Sequence, residues 1–323
     1  MIVLLFTGGT ISMRHDPVSG GAVPTLRGKD ILALTPGLDR VADLEIDDWG
    51  AFPGPHMTVE RMWALRSRIV EQLARPEVDG IVVTHGTDAL EESAYLVARS
   101  VRSDKPVVFT GAMRTSSDLG WDGPANLGAS VRVAASKDAR GAGVLVVMAD
   151  RVFGGLDVTK THTHRLESFD SPGTGPLGVI DDGQVIFRHA LPAPASVLTP
   201  PKLGEPIDVV FTYSGADSHL LDASRERALG VVIAAMGRGN VPPAMVDGID
   251  RFVAEDKPVV ITSRALRGRV GCTYGYPGGG RRLADRGAIF AGARRPQQAR
   301  IDVMLALGAG MSVSEIRSLL EHS

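Results

Sequence analysis

Two glycine- and threonine-containing phrases stand directly after short apolar runs and supply hydroxyl groups suited to chemistry. The first, TGGT at 7–10, follows IVLLF at 2–6, and the second, THGTD at 84–88, follows IVV at 81–83. In an open α/β sheet, ligands bind beyond the carboxyl ends of the strands, so both phrases fall at the ligand-binding edge. We interpret Thr10 as a candidate nucleophile, with Thr87 and Asp88 as its support.

A threonine hydroxyl needs a base before it can attack, and Thr87 is too weakly basic to act alone. Lys160, in the phrase VTKT at 158–161, follows the apolar run 143–149 and therefore falls at the same sheet edge. A lysine beside the carboxylate of Asp88 would complete a proton relay. The alternatives are ordinary ones: Thr10, Thr87 and Asp88 as helix caps, and Lys160 as a solvated surface lysine.

Other chemistries find less support in the residues. The TGGT phrase lacks the Gly-Lys-Ser/Thr of a phosphate-binding loop, and no G-x-G-x-x-G follows a strand. His162 and His164 have a spacing that can bind metal, but no carboxylate or cysteine partner accompanies them. We therefore predict no metal and no cofactor, and we interpret His85 as a buried, hydrogen-bonded histidine rather than a base.

The elements that must position these residues alternate between strand and helix. Continuous apolar runs predict strands buried on both faces, and the intervening 3.6-residue periodicity predicts helices. Asp88 falls at the N-cap position of the second helix, and Ser312 with Glu315 forms a capping box. The pattern predicts a two-domain α/β protein, with a larger N-terminal doubly wound, mostly parallel sheet and a smaller C-terminal α/β domain. The predicted strands are 2–6, 80–84, 106–110, 143–149, 207–212, 230–235 and 258–262, and the predicted helices are 58–74, 89–101, 126–139 and 246–256.

Two stretches interrupt this alternation. The proline-rich stretch 189–206 predicts a linker between an N-terminal catalytic domain, 1–188, and a C-terminal domain, 207–323. The glycine-containing stretch 12–28 follows Thr10 closely, and it is either a mobile lid or a long surface connection. Its candidate lid residues are Ser12, Arg14, His15, Gly21 and Ala22.

Composition narrows the class of protein. The 323 residues are 44% hydrophobic and 22% charged, with a net charge of -2, which is typical of a globular protein and argues against nucleic-acid binding. The one cysteine, Cys272, allows no intrachain disulfide, and no apolar run approaches the roughly 20 residues that span a bilayer. With no secretory leader visible, we expect a cytoplasmic protein that does not associate with membranes.

Six ordered phrases of the first domain resemble the bacterial-type L-asparaginase family, and RPQQARI at 295–301 extends the likeness more weakly into the second. The resemblance implies a metal-independent hydrolase of side-chain amides that acts on a small-molecule substrate. It also implies a homotetramer, a dimer of dimers, with sites at the contact between subunits. The six phrases are TGGTIS (7–12), VVTHGTDALEESAY (82–95), KPVVFTGAMR (105–114), DGPANL (122–127), GVLVVMAD (143–150) and DVTKTHT (157–163).

The resemblance also implies roles for single residues. The nucleophilic threonine of the family corresponds to Thr10, and its second catalytic threonine to Thr87. Asp88 corresponds to the aspartate that holds the substrate amino group, and Lys160 to the relay lysine. Thr10 would then attack the amide carbon of L-asparagine, ammonia would leave, and water would release L-aspartate.

The chain departs from the family pattern at positions where the family has residues that bind the substrate. Gly21 or Ala22 stands where the family has its lid tyrosine, and Gly54, Pro55 and His56 stand where it has a serine-containing pair. The family's glutamate from the neighbouring subunit also has no match. His56 or an arginine of the second domain could replace the missing residue that binds the substrate carboxylate.

A partner chain could supply the missing phenol through Tyr274 or Tyr276. The alternatives are an asparaginase-like hydrolase of a different amide, and a catalytically silent module that senses an amino acid.

Overall fold

The computed structural model describes residues 1–189 and 196–321. The chain divides into two compact units, Met1–Val197 and Leu198–Ser323. The predicted domain limits, 1–188 and 207–323, stay a prediction, and residues 190–195 of the predicted linker 189–206 lie outside the described residues.

The first unit is built on an eight-stranded sheet, as the apolar runs predict. Its strands are β1 (Ile2–Gly8), β4 (Leu44–Phe52), β5 (Gly80–Thr84), β6 (Val107–Thr110), β7 (Val144–Met148), β8 (Arg151–Gly154), β11 (Gly178–Asp181) and β12 (Gln184–Phe187). Their order is β12-β11-β8-β7-β6-β5-β1-β4. The strands from β7 to β4 in this order are parallel, whereas β8, β11 and β12 pair antiparallel with their neighbours.

Two short antiparallel pairs stand apart from this sheet. One is the hairpin β2 (Met13–Asp16) and β3 (Gly21–Pro24), and the other pairs β9 (Thr159–Lys160) with β10 (Phe169–Asp170). The hairpin replaces the irregular stretch that the glycines and prolines of 12–28 suggest.

Helices cover both faces of the large sheet, which explains why its strands are apolar on both sides. They are α1 (Gly28–Ala33), α2 (Val59–Leu73), α3 (Leu90–Ser100) and α4 (Gly123–Ala135). Val3 and Leu5 of β1 pack on one side with Leu65 of α2, and Leu4 packs on the other side with Leu127 of α4. This alternation confirms the doubly wound sheet.

The second unit contains a smaller, fully parallel sheet of four strands that lie side by side in chain order. Its elements are β13 (Ile207–Phe211), α5 (His219–Arg225), β14 (Gly230–Ala235), α6 (Val246–Ala254), β15 (Val259–Ser263), α7 (Gly280–Asp285), β16 (Ile289–Phe290), α8 (Pro296–Gly308) and α9 (Val313–Glu321). The predicted capping box before α9 is confirmed, because Ser312 N donates to Glu315 Oε2 at 2.7 Å and Glu315 N donates to Ser312 Oγ at 3.4 Å. Among the residues that the structure describes, no helix has the length and apolar character needed to cross a bilayer.

Candidate active site

The two threonine phrases lie side by side at the carboxyl ends of neighbouring strands. β1 pairs in parallel with β5, with Phe6 opposite Thr84. Beyond β1, Gly9 has φ 82 and leads into a short 3-10 helix, Thr10–Ser12. A Cβ atom built on Gly9 would lie only 2.5 Å from Gly86 N, so glycine is required here. The backbone before Thr10 therefore packs directly against the backbone before Thr87.

A third segment closes against the same loop. A Cβ atom built on Gly86 would lie 2.5 Å from the Cα atom of Gly54, and one built on Gly54 would lie 3.3 Å from the Cβ atom of Asp88. Gly54 is buried, while Pro55 and His56 continue a short 3-10 helix and are exposed. Glycine-to-glycine contact thus brings three distant stretches of sequence to one place.

Lys160 joins Thr87 and Asp88 through direct hydrogen bonds. Its Nζ atom donates to Thr87 Oγ1 at 2.9 Å and to Asp88 Oδ1 at 2.6 Å. The Lys160 side chain is 18% exposed and that of Asp88 is 61% exposed, whereas Thr87 is buried. The buried Thr87 hydroxyl therefore accepts a hydrogen bond from the Lys160 ammonium, which the exposed Asp88 carboxylate holds in place.

Thr10 is half-buried, and its hydroxyl makes no hydrogen bond with the residues that the structure describes. The structure thus brings Thr87, Asp88 and Lys160 into direct contact, and it places Thr10 beside them through the backbone of Gly9. Asp88 Oδ2 likewise has no hydrogen-bond partner within the described part of the chain. Both groups are available to a bound molecule.

The predicted N-cap role of Asp88 is wrong. α3 begins at Leu90, its N-cap residue is Ala89, and no side chain caps it. The Asp88 carboxylate instead accepts a hydrogen bond from Lys160, 72 residues away in sequence. The carboxylate therefore makes its charge-assisted hydrogen bond with lysine rather than with the backbone N–H groups of α3.

His85 is fully buried, which confirms the interpretation that it is hydrogen-bonded rather than a base. Its Nδ1 atom lies 2.8 Å from the Gly86 carbonyl and its Nε2 atom lies 2.9 Å from Ser93 Oγ. Because a carbonyl only accepts, Nδ1 carries the proton and Nε2 accepts from the Ser93 hydroxyl. Desolvation lowers the pKa of His85 from 6.5 to about 4, against the opposing effect of the Gly86 hydrogen bond. The neutral ring thus fixes the loop that carries Thr87 and Asp88.

This lowered pKa predicts that the protein loses stability in mild acid. The unfolded chain takes up a proton on His85 below about pH 6.5, but the folded chain resists protonation until about pH 4. The contribution is therefore complete above pH 6.5 and is lost as the pH falls toward 4, by about 2–3 kcal/mol between pH 7 and pH 4.5. Urea unfolding at both pH values would measure it. His85→Gln is the control, since the variant should lose less stability over this interval, and an equal loss would contradict the assignment.

Asp122 and Asn126, to which the sequence assigned no role, hold two neighbouring loops in position. Asp122 accepts from Met113 N at 3.0 Å and from Arg114 N at 2.9 Å. Asn126 donates to the Gly111 carbonyl at 3.0 Å and accepts from Ala149 N at 3.0 Å. They tie the loop after β6 to the loop after β7. The sequence signal that could have revealed this pair is the spacing of four residues, which places the two side chains on the same face of a helix.

The candidate lid is a hairpin docked on a neighbouring loop. His15 N donates to Ser117 Oγ at 3.0 Å, and Ser116 Oγ donates to the Met13 carbonyl at 2.9 Å. Ser12 is buried and donates to the Gly9 carbonyl at 2.8 Å, next to Thr10. The other lid candidates, Arg14, His15, Gly21 and Ala22, are exposed or half-exposed. Whether the hairpin moves stays a prediction.

The remaining candidates are two tyrosines and the histidines of the segment 162–164. Tyr274 and Tyr276 belong to the second unit, are 42% and 50% exposed, and have ring centroids 5.5 Å apart. His162 Nδ1 accepts from the backbone N–H groups of His164 and Arg165, so this ring organises its own loop. Within residues 1–189 and 196–321, no group of three or more His, Cys, Asp or Glu side chains could hold a metal ion.

Fold and site together define a two-domain α/β protein with a cluster of Thr87, Asp88 and Lys160 at a sheet edge, and comparison with known proteins identifies its family. Residues 1–193 match the family model for the asparaginase N-terminal domain, and residues 206–320 match that for the glutaminase/asparaginase C-terminal domain. The chain is 37% identical over 319 residues to a probable L-asparaginase of Deinococcus radiodurans, covering 98% of this chain and 95% of the relative. It is 33% identical to an L-asparaginase of Bacillus licheniformis, covering 95% of both.

The solved structures give the same result. The crystal structure of a probable cytoplasmic L-asparaginase from Campylobacter jejuni superposes with a TM-score of 0.87 at 29% identity, covering 99% of this chain and 98% of that one. The chain belongs to the bacterial-type L-asparaginase family and is an amidohydrolase acting on linear amides.

Proposed function

We propose that this protein hydrolyses L-asparagine to L-aspartate and ammonia, with Thr10 as the nucleophile. The observation that carries the proposal is the Lys160 ammonium, which bridges Thr87 Oγ1 and Asp88 Oδ1 beside the Thr10 turn. The relatives named as L-asparaginases support asparagine as the substrate. No cofactor or metal enters the proposed reaction.

The reaction proceeds in two steps. Thr10 Oγ1 attacks the side-chain amide carbon while Lys160, acting through Thr87, gives a proton to the leaving amide nitrogen and takes up the Thr10 proton, so that ammonia leaves and Lys160 ends the step with the charge it began with. Water then attacks the resulting ester, L-aspartate departs, and the Thr10 hydroxyl is restored. Backbone N–H groups of the 86–88 loop are suited to hold the oxyanion, because they require no reorganisation during the reaction.

Asp88 is proposed to hold the α-ammonium group of the substrate. Its Oδ2 atom has no partner among the described residues, while Lys160 fixes Oδ1. An anchored carboxylate recognises a cation at little cost in side-chain entropy. The substrate carboxylate needs a different reader, for which the exposed His56 is the candidate in the 54–56 segment.

The backbone of His56 is held in place by Arg61. Arg61 Nη1 donates to the His56 carbonyl, and the Arg61 guanidinium lies 4.3 Å from the centroid of the Phe52 ring. This support fixes the backbone of His56 and leaves its ring free to contact a ligand.

A different amide substrate is the second candidate function. Gly54 and Pro55 offer a substrate neither a hydroxyl nor a side-chain amide, so selectivity for a free amino acid depends on fewer polar contacts. Ammonia release from L-asparagine, D-asparagine, L-glutamine, a dipeptide amide and a simple amide distinguishes the two. Turnover confined to the last two substrates would overturn the asparaginase assignment, and saturable stabilisation without any turnover would support an amino-acid sensor instead.

Assembly and location belong to the same proposal. A homotetramer would allow Tyr274 or Tyr276 of a partner subunit to supply a phenol, and the exposure of both rings supports this. Light scattering and the Tyr274→Phe and Tyr276→Phe variants test it. A cytoplasmic location is supported by the name of the Campylobacter structure.

A further inference from the structure

Lys160 is held at its backbone as well as at its ammonium group. Its N–H group donates to Glu91 Oε2 at 2.7 Å, and its Nζ atom donates to Asp88 Oδ1 at 2.6 Å. Glu91 lies in the first turn of α3, three residues beyond Asp88. Two carboxylates that lie three residues apart therefore bind the same lysine, Glu91 at its backbone N–H group and Asp88 at its Nζ atom.

The strand that carries Lys160 is short, and core packing holds its neighbours Val158 and Phe169. β9 consists of Thr159 and Lys160, and among the described residues it pairs with β10, with Phe169 opposite Lys160. Neither of these strands is part of the eight-stranded sheet. The Glu91 carboxylate adds to this packing a charge-assisted hydrogen bond at the N–H group of Lys160 itself.

We propose that Glu91 is a positioning residue. By holding the backbone of Lys160, it sets the distances from Lys160 Nζ to Thr87 Oγ1 and to Asp88 Oδ1. This inference rests on the proposed function, since it assigns Glu91 a role in the same proton relay. The carboxylate acts through the backbone of Lys160 and does not touch the substrate. A displacement of about 1 Å in a catalytic group can reduce a rate about 100-fold.

The test compares Glu91→Ala with Glu91→Gln. The alanine variant removes the acceptor for Lys160 N, so we expect kcat for asparagine to fall about 10- to 100-fold while KM changes less than about threefold. The glutamine variant keeps an acceptor oxygen at the same reach and should remain within about fivefold of the wild-type kcat. Glu92→Gln, which removes a carboxylate from the same helical turn, is the charge-matched control and should retain the wild-type kcat.

Each outcome decides between the two proposals. A wild-type kcat in Glu91→Ala would overturn the role of Glu91 and leave the proposed function intact. Equal losses in Glu91→Gln and Glu91→Ala would show that charge alone matters and would also overturn it.

If the wild type hydrolyses no amide, the proposed function fails, and a crystal structure of Glu91→Ala then decides the positioning role. Lys160 Nζ still within 3.5 Å of Thr87 Oγ1 would overturn the role, by the usual distance criterion for a hydrogen bond. A thermal melt shows whether the alanine variant folds, and the glutamine variant keeps the comparison informative if it does not.

Discussion

Thr10→Ala is expected to lower kcat for asparagine hydrolysis by about 10⁴-fold or more while leaving the protein folded. The substitution removes the oxygen that forms the ester, and loss of a nucleophile costs about as much as loss of a whole catalytic set. Because the Thr10 hydroxyl bonds none of the described residues, its removal breaks no hydrogen bond within that part of the chain. Ammonia release under saturating asparagine measures the effect, and circular dichroism checks the fold.

Matched variants separate the role of Thr10 from general damage. Thr10→Ser keeps a hydroxyl on the same backbone and should retain part of the activity. Thr174→Ala removes an exposed threonine of the same unit and should leave the rate unchanged. Full turnover in Thr10→Ala would show that another residue attacks the substrate.

Lys160→Met is expected to lower kcat by about 10²- to 10⁴-fold, the usual range for loss of a proton-transfer group. Methionine keeps the length and apolar stem of lysine but removes the Nζ atom that contacts Thr87 Oγ1 and Asp88 Oδ1. Stability should fall by about 1–2 kcal/mol at most, because the ion pair with a carboxylate exposed by 61% contributes about 0–1 kcal/mol and the bond to the buried Thr87 hydroxyl about 1 kcal/mol. Steady-state kinetics with a thermal melt distinguish the two effects.

Lys137→Met, which changes an exposed lysine of the same unit, is the control and should behave as the wild type. Asp88→Asn should reduce kcat and also raise KM, because it weakens the anchor for Lys160 and the proposed contact with the substrate ammonium. A Lys160→Met variant with normal kcat would remove the lysine from the mechanism.

The sequence predicted the central strands well because they are buried on both faces. Runs such as 80–84 and 230–235 contain no charge, and their observed bounds match the predicted ones. β4 was missed since Asp47 and Asp48 interrupt its apolar pattern. Asp47 accepts hydrogen bonds from Arg68 and Gln72 of α2, so its charge is satisfied by a partner that the local pattern does not reveal.

The site was predicted in part for the same physical reason. Placement of Thr10 and Thr87 at one sheet edge follows from strand order and from glycines that permit close backbone approach. The contact of Lys160 with Asp88 depends on tertiary packing across 72 residues, and this packing overrides the local preference of Asp88 for an N-cap. Glu91 carried no local signal for its partner, because an acidic residue in the first turn of a helix is common on electrostatic grounds alone.

Identification of the acylated residue tests the central claim most directly. Wild-type enzyme mixed with excess asparagine, quenched in acid during turnover and digested, can be mapped by mass spectrometry for an aspartyl ester. We predict that the ester lies on the peptide that carries Thr10 and that Thr10→Ala abolishes it. An ester on Thr87, whose hydroxyl is the one in contact with Lys160, would contradict the assignment and make Thr87 the nucleophile.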